Sequence, residues 1–526
     1  MHHPTSRPVD DVSQLLQRAH ALHGQGDLRR AEKLYKEILA HDPANADVLH
    51  LLGFLYHQSG RPAQALCYLA AGLKSNPRSP PLLSNHGLVL HTLGRGDEAL
   101  ASYQAALAIT PDDPDLLNKC GAVLLDLDRP QEAFTQFNRA LALDPRHAEA
   151  LGNRGNALLK LERPEEAIET YDAMRAVAGD SAQLLTNRAH ALRRLDRLEA
   201  ARADLEKAVT LDARFAEAWF ERGLVELTLG NFDTGWAAYE RRWETARFAA
   251  HRRDFSSPLW TGKQSLAGRT ILLHAEQGFG DTIQFARYVA LLPPLAATVL
   301  LEVQPELVSL TRASFREACV FARGEKLAAF DLHCPLMSLP LACKDIAPAI
   351  PCDVPYLEAP ASDAARWAAR LWPARLRIGV AWAGRRSHDN DAQRSMPLER
   401  FAALFALSGI QFVSLQRDLD ARDKVRLREF DNVLDVGDSL ADFADAAALV
   451  SQLDALVCVD TALAHLAGAL AKPTSILLPA AADFRWLRGR DDSPWYPTAR
   501  LFRQPRRGDW GSVIMNVRAH LVTLYC

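Results

Sequence analysis

The chain of 526 residues lacks an apolar stretch long enough to cross a membrane. The best candidate, residues 288–303, is interrupted by Pro293–Pro294 and falls short of the roughly 20 apolar residues that a spanning helix needs. The first residues, MHHPTSRPVDD, contain no apolar segment of the kind found in a secretory signal. We therefore expect a protein without a transmembrane segment, located in the cytoplasm.

The chain also has no large excess of acidic or basic residues. The 61 Lys and Arg residues nearly balance 64 Asp and Glu residues, and the net charge is −3. This balance argues against nucleic acid or an anionic membrane as the main partner. The eight cysteines are scattered without a CxxC motif, so no cysteine metal site is predicted. The length itself predicts two to four domains.

The first half of the chain contains a repeat of 34 residues. In each unit a small residue is followed twelve positions later by a second small residue, and a large apolar residue stands four positions further on. The register holds through seven units, and the first small position carries Ala19, Gly53, Gly87, Gly121, Gly155, Ala189 and Gly223. Two antiparallel helices approach closely only where side chains are small, and stacking of the units completes their core. The pattern predicts an α-solenoid.

These residues resemble the tetratricopeptide repeat. The resemblance implies a superhelix whose inner groove, lined mainly by the first helix of each repeat, holds peptides or partner proteins. Asn85, Asn153 and Asn187 stand at the sixth position of their repeats and could bond an extended peptide along that groove. The alternative is that they cap or solvate their helices. Exposed repeat faces can also pair two copies of a chain, so a homodimer is left open.

After residue 250 the pattern changes to short apolar runs that alternate with amphipathic helical stretches. The predicted strands lie at 269–275, 297–303, 375–384, 409–416, 432–437, 454–460 and 473–479. A proline-rich stretch, residues 330–360, separates them into two blocks. Such alternation predicts parallel sheets covered by helices, and two blocks predict two lobes that face a cleft. Ligands of such folds bind at the carboxyl ends of the strands.

The sequence thus predicts a tetratricopeptide solenoid followed by two Rossmann-like α/β lobes. The predicted segments are a flexible N-terminal tail (1–11), about seven repeats (12–249), a linker (250–268), an N-terminal lobe (269–358), an inter-lobe linker (359–376) and a C-terminal lobe (377–526).

A glycine turn follows the first predicted strand, in the sequence HAEQGFGDTIQFARY at 274–288. Gly278 and Gly280 permit a tight turn, but Asp281 occupies the start of the helix, where a dinucleotide would place its pyrophosphate. The carboxylate is therefore either an ordinary helix cap or a general base at the cleft. Glu276 is the neighbouring alternative for the base.

Two further segments point to a diphosphate site in the second lobe. A strand ends at Asp460, and a helix that starts near Thr461 offers backbone N–H groups and a hydroxyl to phosphate. His465 follows one turn later, although a histidine there is, taken alone, more typical of a satisfied core residue than of a ligand contact. Arg394 lies in a long polar loop at 381–401, which is either a solvated loop or a phosphate-binding one.

The segments LLHAEQGFGDTIQFARYV, RSMPLERF and VDTALAHLAGAL resemble the heptosyltransferase-like glycosyltransferases, within a bacterial group that joins such a domain to tetratricopeptide repeats. The resemblance implies a GT-B fold with the nucleotide-sugar donor in the C-terminal lobe and the acceptor approaching from the N-terminal lobe. It implies inverting transfer without a metal or a further cofactor. Asp281 matches the catalytic acid of the family, Asp460, Thr461 and His465 match its donor-contact motif, and Arg394 matches the diphosphate-binding basic residue.

We therefore expect a glycosyltransferase that moves a sugar from a nucleotide-sugar to a hydroxyl of a protein or glycan recruited by the repeats. The rival is a non-catalytic repeat scaffold whose second half is a degenerate nucleotide-sugar-binding domain. A nucleotide-sugar epimerase of similar fold is a weaker alternative, because it leaves the repeats without a role.

Overall fold

The computed structural model describes residues 9–373, 376–386 and 390–525. The chain divides into two compact units, Met1–Leu192 and Arg193–Cys526. Of the predicted N-terminal tail, residues 1–8 lie outside the described residues, and residues 9–11 form the start of a helix. Within the described ranges, none of the helices is long and apolar enough to span a membrane.

The first unit is built from helical pairs. Its helices are α1 (Val9–Gly24), α2 (Leu28–His41), α3 (Ala46–Gln58), α4 (Pro62–Ser75), α5 (Pro80–Thr92), α6 (Gly96–Leu107), α7 (Pro114–Asp126), α8 (Pro130–Leu143), α9 (Ala148–Lys160), α10 (Pro164–Ala178) and α11 (Ala182–Arg194). From α3 onward, equivalent helices begin 34 residues apart. The predicted helical repeats are confirmed.

Close helix contacts explain the small residues of the repeat. A Cβ atom on Gly53 would lie 2.5 Å from the side chain of Leu69, and one on Gly87 would lie 2.8 Å from the ring of Tyr103. At Gly155 such an atom would overlap the ring of Tyr171. Each glycine therefore lets the large apolar residue of the second helix pack directly against the backbone of the first helix.

Polar side chains also join the first helices of successive repeats. The three asparagines predicted to line the groove take part: Asn85 Nδ2 donates to His50 Nε2 (2.6 Å), Asn153 Nδ2 to Asn118 Oδ1 (3.0 Å) and Asn187 Nδ2 to Asn156 Oδ1 (3.1 Å). These asparagines thus bridge neighbouring helices rather than cap their own. Each amide carries a second hydrogen, and the predicted contact with a peptide stays a prediction.

The second unit begins with the end of the helical repeat pattern and continues as an α/β structure. Its helices are α12 (Leu198–Leu211), α13 (Ala216–Thr228), α14 (Phe232–Tyr239), α15 (Ala246–Ala249), α16 (Phe279–Phe285), α17 (Val308–Ser314), α18 (Leu339–Ala342), α19 (Ala361–Arg370), α20 (Asp391–Arg394), α21 (Leu398–Phe401), α22 (Ala421–Leu427), α23 (Phe443–Ser451), α24 (Ala462–Ala469) and α25 (Trp510–Tyr525). Short 3₁₀ helices occupy Glu240–Glu244, Ala286–Leu291, Pro305–Leu307, Leu336–Ser338, Ala402–Leu404, Gly437–Ser439 and Phe484–Trp486.

Two parallel sheets form the centre of this unit. Their strands are β1 (Thr270–His274), β2 (Thr298–Val303), β3 (Ala318–Ala322), β4 (Leu332–Pro335), β5 (Leu376–Ala381), β6 (Ile410–Ser414), β7 (Val433–Asp435), β8 (Ala455–Val459), β9 (Thr474–Leu478) and β10 (Ala499–Arg503). The first sheet has the order β3-β2-β1-β4 and the second the order β10-β9-β8-β5-β6-β7. Read from β7, the second order is that of a doubly wound α/β sheet. The predicted parallel α/β architecture is confirmed.

The segments predicted as linkers are packed against the sheets. Trp260, within 250–268, is buried, and Leu259 forms a parallel bridge with His333 of β4. The predicted inter-lobe linker contains α19, whose Trp367 is fully buried and donates its indole N–H to Asp445 of α23 (2.5 Å). Each segment is therefore anchored to the core by a buried tryptophan, although most of its residues are exposed or half-buried.

Candidate active site

Asp281 lies in the first turn of α16, just beyond the carboxyl end of β1. Its Oδ2 accepts the backbone N–H of Gly278 at 2.8 Å, as expected for an acid that closes the start of a helix. Its Oδ1 accepts a hydrogen bond from Arg485. The side chain is 21% exposed, so the carboxylate is neither free in solvent nor enclosed in the core. Asp281 therefore does cap the start of α16, and it also forms an ion pair with Arg485.

Arg485 comes from the 3₁₀ helix after β9, at the carboxyl end of the second sheet. Its guanidinium also donates to Asp483 Oδ1 (2.6 Å) and to Gln284 Oε1 of α16 (2.8 Å). Burial opposes its charge, but Asp483 and Asp281 hold the pKa of Arg485 above its ordinary value. One arginine, whose side chain is 11% exposed, therefore joins the edges of the two sheets at the predicted catalytic acid.

The predicted donor-contact residues meet at the carboxyl end of β8. Arg394 Nη1 donates to the backbone carbonyl of Asp460 at 3.1 Å, so the polar loop and the start of α24 lie together. Burial, followed by the charge of Asp483, raises the pKa of Asp460 to about 6, although Arg394 and Arg485 act in the opposite direction. Within the described ranges, Thr461 Oγ1 and Arg394 Nε are shielded from solvent and have no hydrogen-bond partner.

His465 is buried one turn into α24. Its Nδ1 shares a hydrogen bond of 3.0 Å with the Tyr496 hydroxyl, and its ring stacks on Trp486 at a centroid distance of 5.2 Å. Burial, with help from nearby arginines, lowers the pKa of His465 well below its usual value. A Cβ atom on Gly280 would lie 2.9 Å from His465 Cδ2. The lowered pKa favours the neutral imidazole, which is bonded through Nδ1 to Tyr496 and packs where α16 and α24 meet.

Glu276, the alternative base, is engaged in a buried ion pair. Both of its carboxylate oxygens accept from Arg242 Nη2 at 3.1 Å. Arg242 is fully buried and also donates to Glu240 (2.6 Å) and to Ser338 (2.8 Å). Burial raises the pKa of Glu276, although Arg242 opposes this. A carboxylate held by a fully buried guanidinium is a poorer candidate for a base than Asp281, whose arginine lies at the edges of the sheets.

Sequence reasoning missed Arg485 and Asp483. They stand in the segment ADFRWL at 482–487, shortly after the predicted strand at 473–479. Polar residues after a strand of a parallel sheet lie at the ligand-binding edge, and this signal could have identified both. Residues 387–389, in the same predicted polar loop as Arg394, lie outside the described residues.

Comparison with protein families identifies the repeats. Models described as tetratricopeptide repeat or TPR repeat match residues 22–84, 73–128, 121–181 and 182–215 in succession. The N-terminal part of the chain, from residue 22 to about residue 215, therefore consists of tetratricopeptide repeats.

Known proteins similar to the chain include protein FlbA of Caulobacter vibrioides (strain ATCC 19089 / CIP 103742 / CB 15). The two are 27% identical over 345 residues, which cover 59% of this chain and 56% of FlbA. The chain thus spans little more than half the length of that relative. Among solved structures, a tetratricopeptide repeat protein from Parabacteroides merdae ATCC 43184 is 20% identical with a TM-score of 0.40, covering 45% of this chain and 94% of its own. YrrB, a TPR protein with an unusual peptide-binding site, is 20% identical with a TM-score of 0.31, covering 35% and 95%.

Proposed function

We propose that the protein is a glycosyltransferase of the GT-B type, in which the two parallel sheets are the acceptor and donor lobes. The observation that carries the proposal concerns Arg485, which is paired with Asp281 and also acts electrostatically on Asp460. Asp460 in turn lies against Arg394, to which its backbone carbonyl is hydrogen-bonded. An acid and a set of phosphate-binding groups thus adjoin the carboxyl edges of two parallel sheets. Sugar transfer needs both a base for the acceptor hydroxyl and a cradle for the departing nucleoside diphosphate.

The donor diphosphate would bind at the start of α24. The hydroxyl of Thr461 makes no hydrogen bond within the described residues, and the Nε of Arg394 is paired only with Asp391 Oδ1, at 3.6 Å. The start of an eight-residue helix adds backbone N–H groups at the same place. These donors would stabilise the negative charge that develops on the leaving diphosphate. Protonation of Asp460, whose pKa is raised to about 6, would remove a nearby negative charge and favour the anion.

Asp281 would take the proton of the acceptor hydroxyl after release from Arg485. The ion pair occupies its Oδ1, and Gly278 occupies its Oδ2. A bound diphosphate offers the Arg485 guanidinium a competing anion, so donor binding would free the base for the acceptor. Donor binding and activation of the base are thereby coupled through one arginine.

The repeats would recruit the acceptor. A tetratricopeptide groove with bridging asparagines on its first helices offers amide groups at regular intervals to an extended chain. The acceptor would then be a protein, or a glycan carried by one, that reaches the site in the second unit.

A non-catalytic nucleotide-sugar sensor is the second candidate. It is favoured by the engagement of both Asp281 oxygens, which is the arrangement of a purely structural acid. In that case the chain would bind a nucleotide-sugar without turning it over.

Turnover separates the two candidates. Full-length protein is incubated with a panel of nucleotide-sugars. Two quantities are measured for each donor: the rate at which the nucleoside diphosphate is released and the affinity of the protein for the donor. Asp281→Asn keeps the size of the side chain and an acceptor for Gly278, and we expect it to lower turnover about 10²–10⁴-fold with donor affinity within a few-fold of wild type. The matched control is Asp345→Asn, an exposed acid in the same unit. If Asp281→Asn releases the nucleoside diphosphate as fast as wild type does, Asp281 has no part in the mechanism. If wild type binds the donor but releases no diphosphate, the sensor is favoured.

Arg394→Ala tests the donor site separately. Loss of a charge-assisted bond to the diphosphate should weaken donor affinity about 10–100-fold. Arg428→Ala, at an exposed arginine of the same unit, serves as the control. Equal donor affinities of the two variants would refute the role assigned to Arg394.

A further inference from the structure

The end of the helical repeat pattern belongs to the same compact unit as the two sheets. The boundary of this unit lies at Arg193, inside the repeats that the sequence predicts at 12–249. Helices α12, α13 and α14, with the turns before them, are therefore parts of the unit that carries the candidate site, and we call them the last repeats. One of the segments that they contact, residues 483–488, contains Arg485.

Arg488 anchors the 483–488 segment to the start of α12. Its Nε lies 3.0 Å from Asp196 Oδ2, in the turn before α12, and its Nη1 donates to Glu199 Oε1 in the first turn of that helix (2.9 Å). The Arg488 and Asp196 side chains are 40% and 33% exposed, so solvent screens their pair only in part. Two carboxylates of the last repeats thus hold one guanidinium of the segment.

The backbone between Arg485 and Arg488 is held in a strained conformation. Leu487 has a φ of 50°, in the left-handed region that residues other than glycine rarely adopt. Such a conformation persists only where surrounding contacts hold it. Arg503 of β10 supplies two of them, because its Nη2 donates to the carbonyls of Trp486 (3.2 Å) and Leu487 (2.9 Å). The placement of Arg485 therefore depends on contacts elsewhere in the segment.

The other end of the segment packs on α14. The Phe484 ring is 4% exposed, and its centroid lies 5.7 Å from that of Trp236 and 6.2 Å from that of Tyr239. The Arg485 guanidinium lies over the Phe484 ring, 4.3 Å from its centroid. The last repeats therefore contact the segment on both sides of Arg485, through Phe484 before it and Arg488 after it.

Arg485 in turn holds Asp281, which caps α16. A displacement of the segment at Arg488 would therefore reach Asp281 through one ion pair. We propose that Arg488 is a positioning residue through which the last repeats keep Arg485 on Asp281. The importance of this contact for sugar transfer rests on the proposed function, whereas the positioning itself does not. Because a diphosphate would have to draw Arg485 away from Asp281, loosening the anchor should raise the fraction of molecules that are ready to bind it.

Hydrogen–deuterium exchange on the full-length chain, without any ligand, tests the positioning. We expect Arg488→Ala to speed exchange about three- to tenfold in peptides that cover 483–488 and also in peptides that cover 278–283. The amide of Gly278 is bonded to Asp281 Oδ2, so its exchange reports on Asp281 rather than on the segment itself. A purely local role of Arg488 would leave the second region unchanged.

Three further variants define the effect. Asp196→Asn combined with Glu199→Gln removes the anchor from the side of the last repeats and should speed exchange in the same two regions. Arg488→Lys keeps a cation beside both carboxylates and should retain most of the protection. Arg490→Ala is the matched control, because Arg490 is 33% exposed and pairs at 2.6 Å with Asp492 of its own loop. It should leave both regions as in wild type.

Affinity for nucleoside diphosphates tests the consequence for the site. UDP, GDP, ADP and CDP are titrated by calorimetry into full-length wild type, Arg488→Ala and Arg490→Ala. We expect Arg488→Ala to bind about two- to tenfold more tightly than wild type, because a larger fraction of its molecules has Arg485 free to leave Asp281. Damage to the fold would instead weaken binding, so the direction of the change separates the two explanations.

Faster exchange confined to 483–488, no change in either region, or the same change in Arg490→Ala would overturn the positioning role of Arg488. Diphosphate binding that Arg488→Ala weakens or leaves unchanged would overturn the control that the anchor exerts on the site. If wild type binds none of the diphosphates and turns over no nucleotide-sugar, the proposed function is refuted, and the exchange rates still decide the positioning. Turnover by wild type with unchanged exchange at 278–283 in Arg488→Ala would refute this proposal alone.

Discussion

The ion pair between Asp281 and Arg485 can be measured with a double-mutant cycle. The two side chains are 21% and 11% exposed, so the pair is partly removed from solvent. Asp281→Asn, Arg485→Gln and the double variant should give a coupling energy of about 2–3 kcal/mol, at the upper end for residues in contact. Arg485→Gln alone should cost more than this, because Asp483 loses its partner at 2.6 Å as well.

A second pair in the same unit provides the control. Arg316 and Glu358 lie 3.2 Å apart but are 80% and 65% exposed, and their coupling should stay below about 1 kcal/mol. Urea unfolding followed by tryptophan fluorescence is the assay, since all ten tryptophans lie in the second unit. A coupling energy for Asp281 and Arg485 no larger than that of the control pair would refute the inference that this bridge joins the two sheet edges.

Two further predictions concern pH and packing. The pKa of Asp460 is raised from 3.8 to about 6 in the folded protein, so the folded state holds this proton more tightly than the unfolded state does. Its contribution to the free energy of unfolding should therefore fall by about 2 kcal/mol as the pH rises from about 4 to about 6. Measured by urea unfolding across this pH range, the free energy of unfolding should decline less steeply in Asp460→Asn than in wild type. Equal slopes for the two proteins would contradict the raised pKa of Asp460. Gly155→Ala should destabilise the first unit by about 1–3 kcal/mol, because the added methyl group would overlap the Tyr171 ring. Unfolding of this unit is followed by its helical circular dichroism signal. The control Gly24→Ala, whose methyl group would meet open space, should be neutral or slightly stabilising.

The repeats could be predicted from the sequence because their physical cause is local. A small residue every 34 positions is needed wherever two helices touch, and the same spacing reappears in the starts of the helices. The strands with continuous apolar runs were predicted for the same reason, since a strand of a parallel sheet is buried on both faces.

Strands β3, β4 and β10 were not predicted. β4 ends in Pro335 within a stretch that reads as irregular, and β10 carries Arg500 and Arg503 because it lies at the edge of its sheet. β3 is also an edge strand and is only partly buried. Edge strands need fewer apolar residues, so their sequences lack the signal of the central strands.

The sequence predicted individual residues of the candidate site but not the contact that joins Asp281 to Arg485. The sequence identified Asp281 and Arg394 by their positions after strands. The arginine that holds Asp281 is 204 residues away along the chain, and no local pattern relates the two. The burial of His465 against Tyr496 likewise depends on tertiary packing, so the choice between a ligand contact and a core histidine could not be made from spacing.

A structure of the full-length protein with a bound nucleoside diphosphate tests the central claim most directly. The account predicts diphosphate oxygens within hydrogen-bond distance of Thr461 Oγ1 and the Arg394 guanidinium, with Arg485 turned from Asp281 toward the anion. A diphosphate bound elsewhere in the chain, with the pair of Asp281 and Arg485 unchanged, would contradict it.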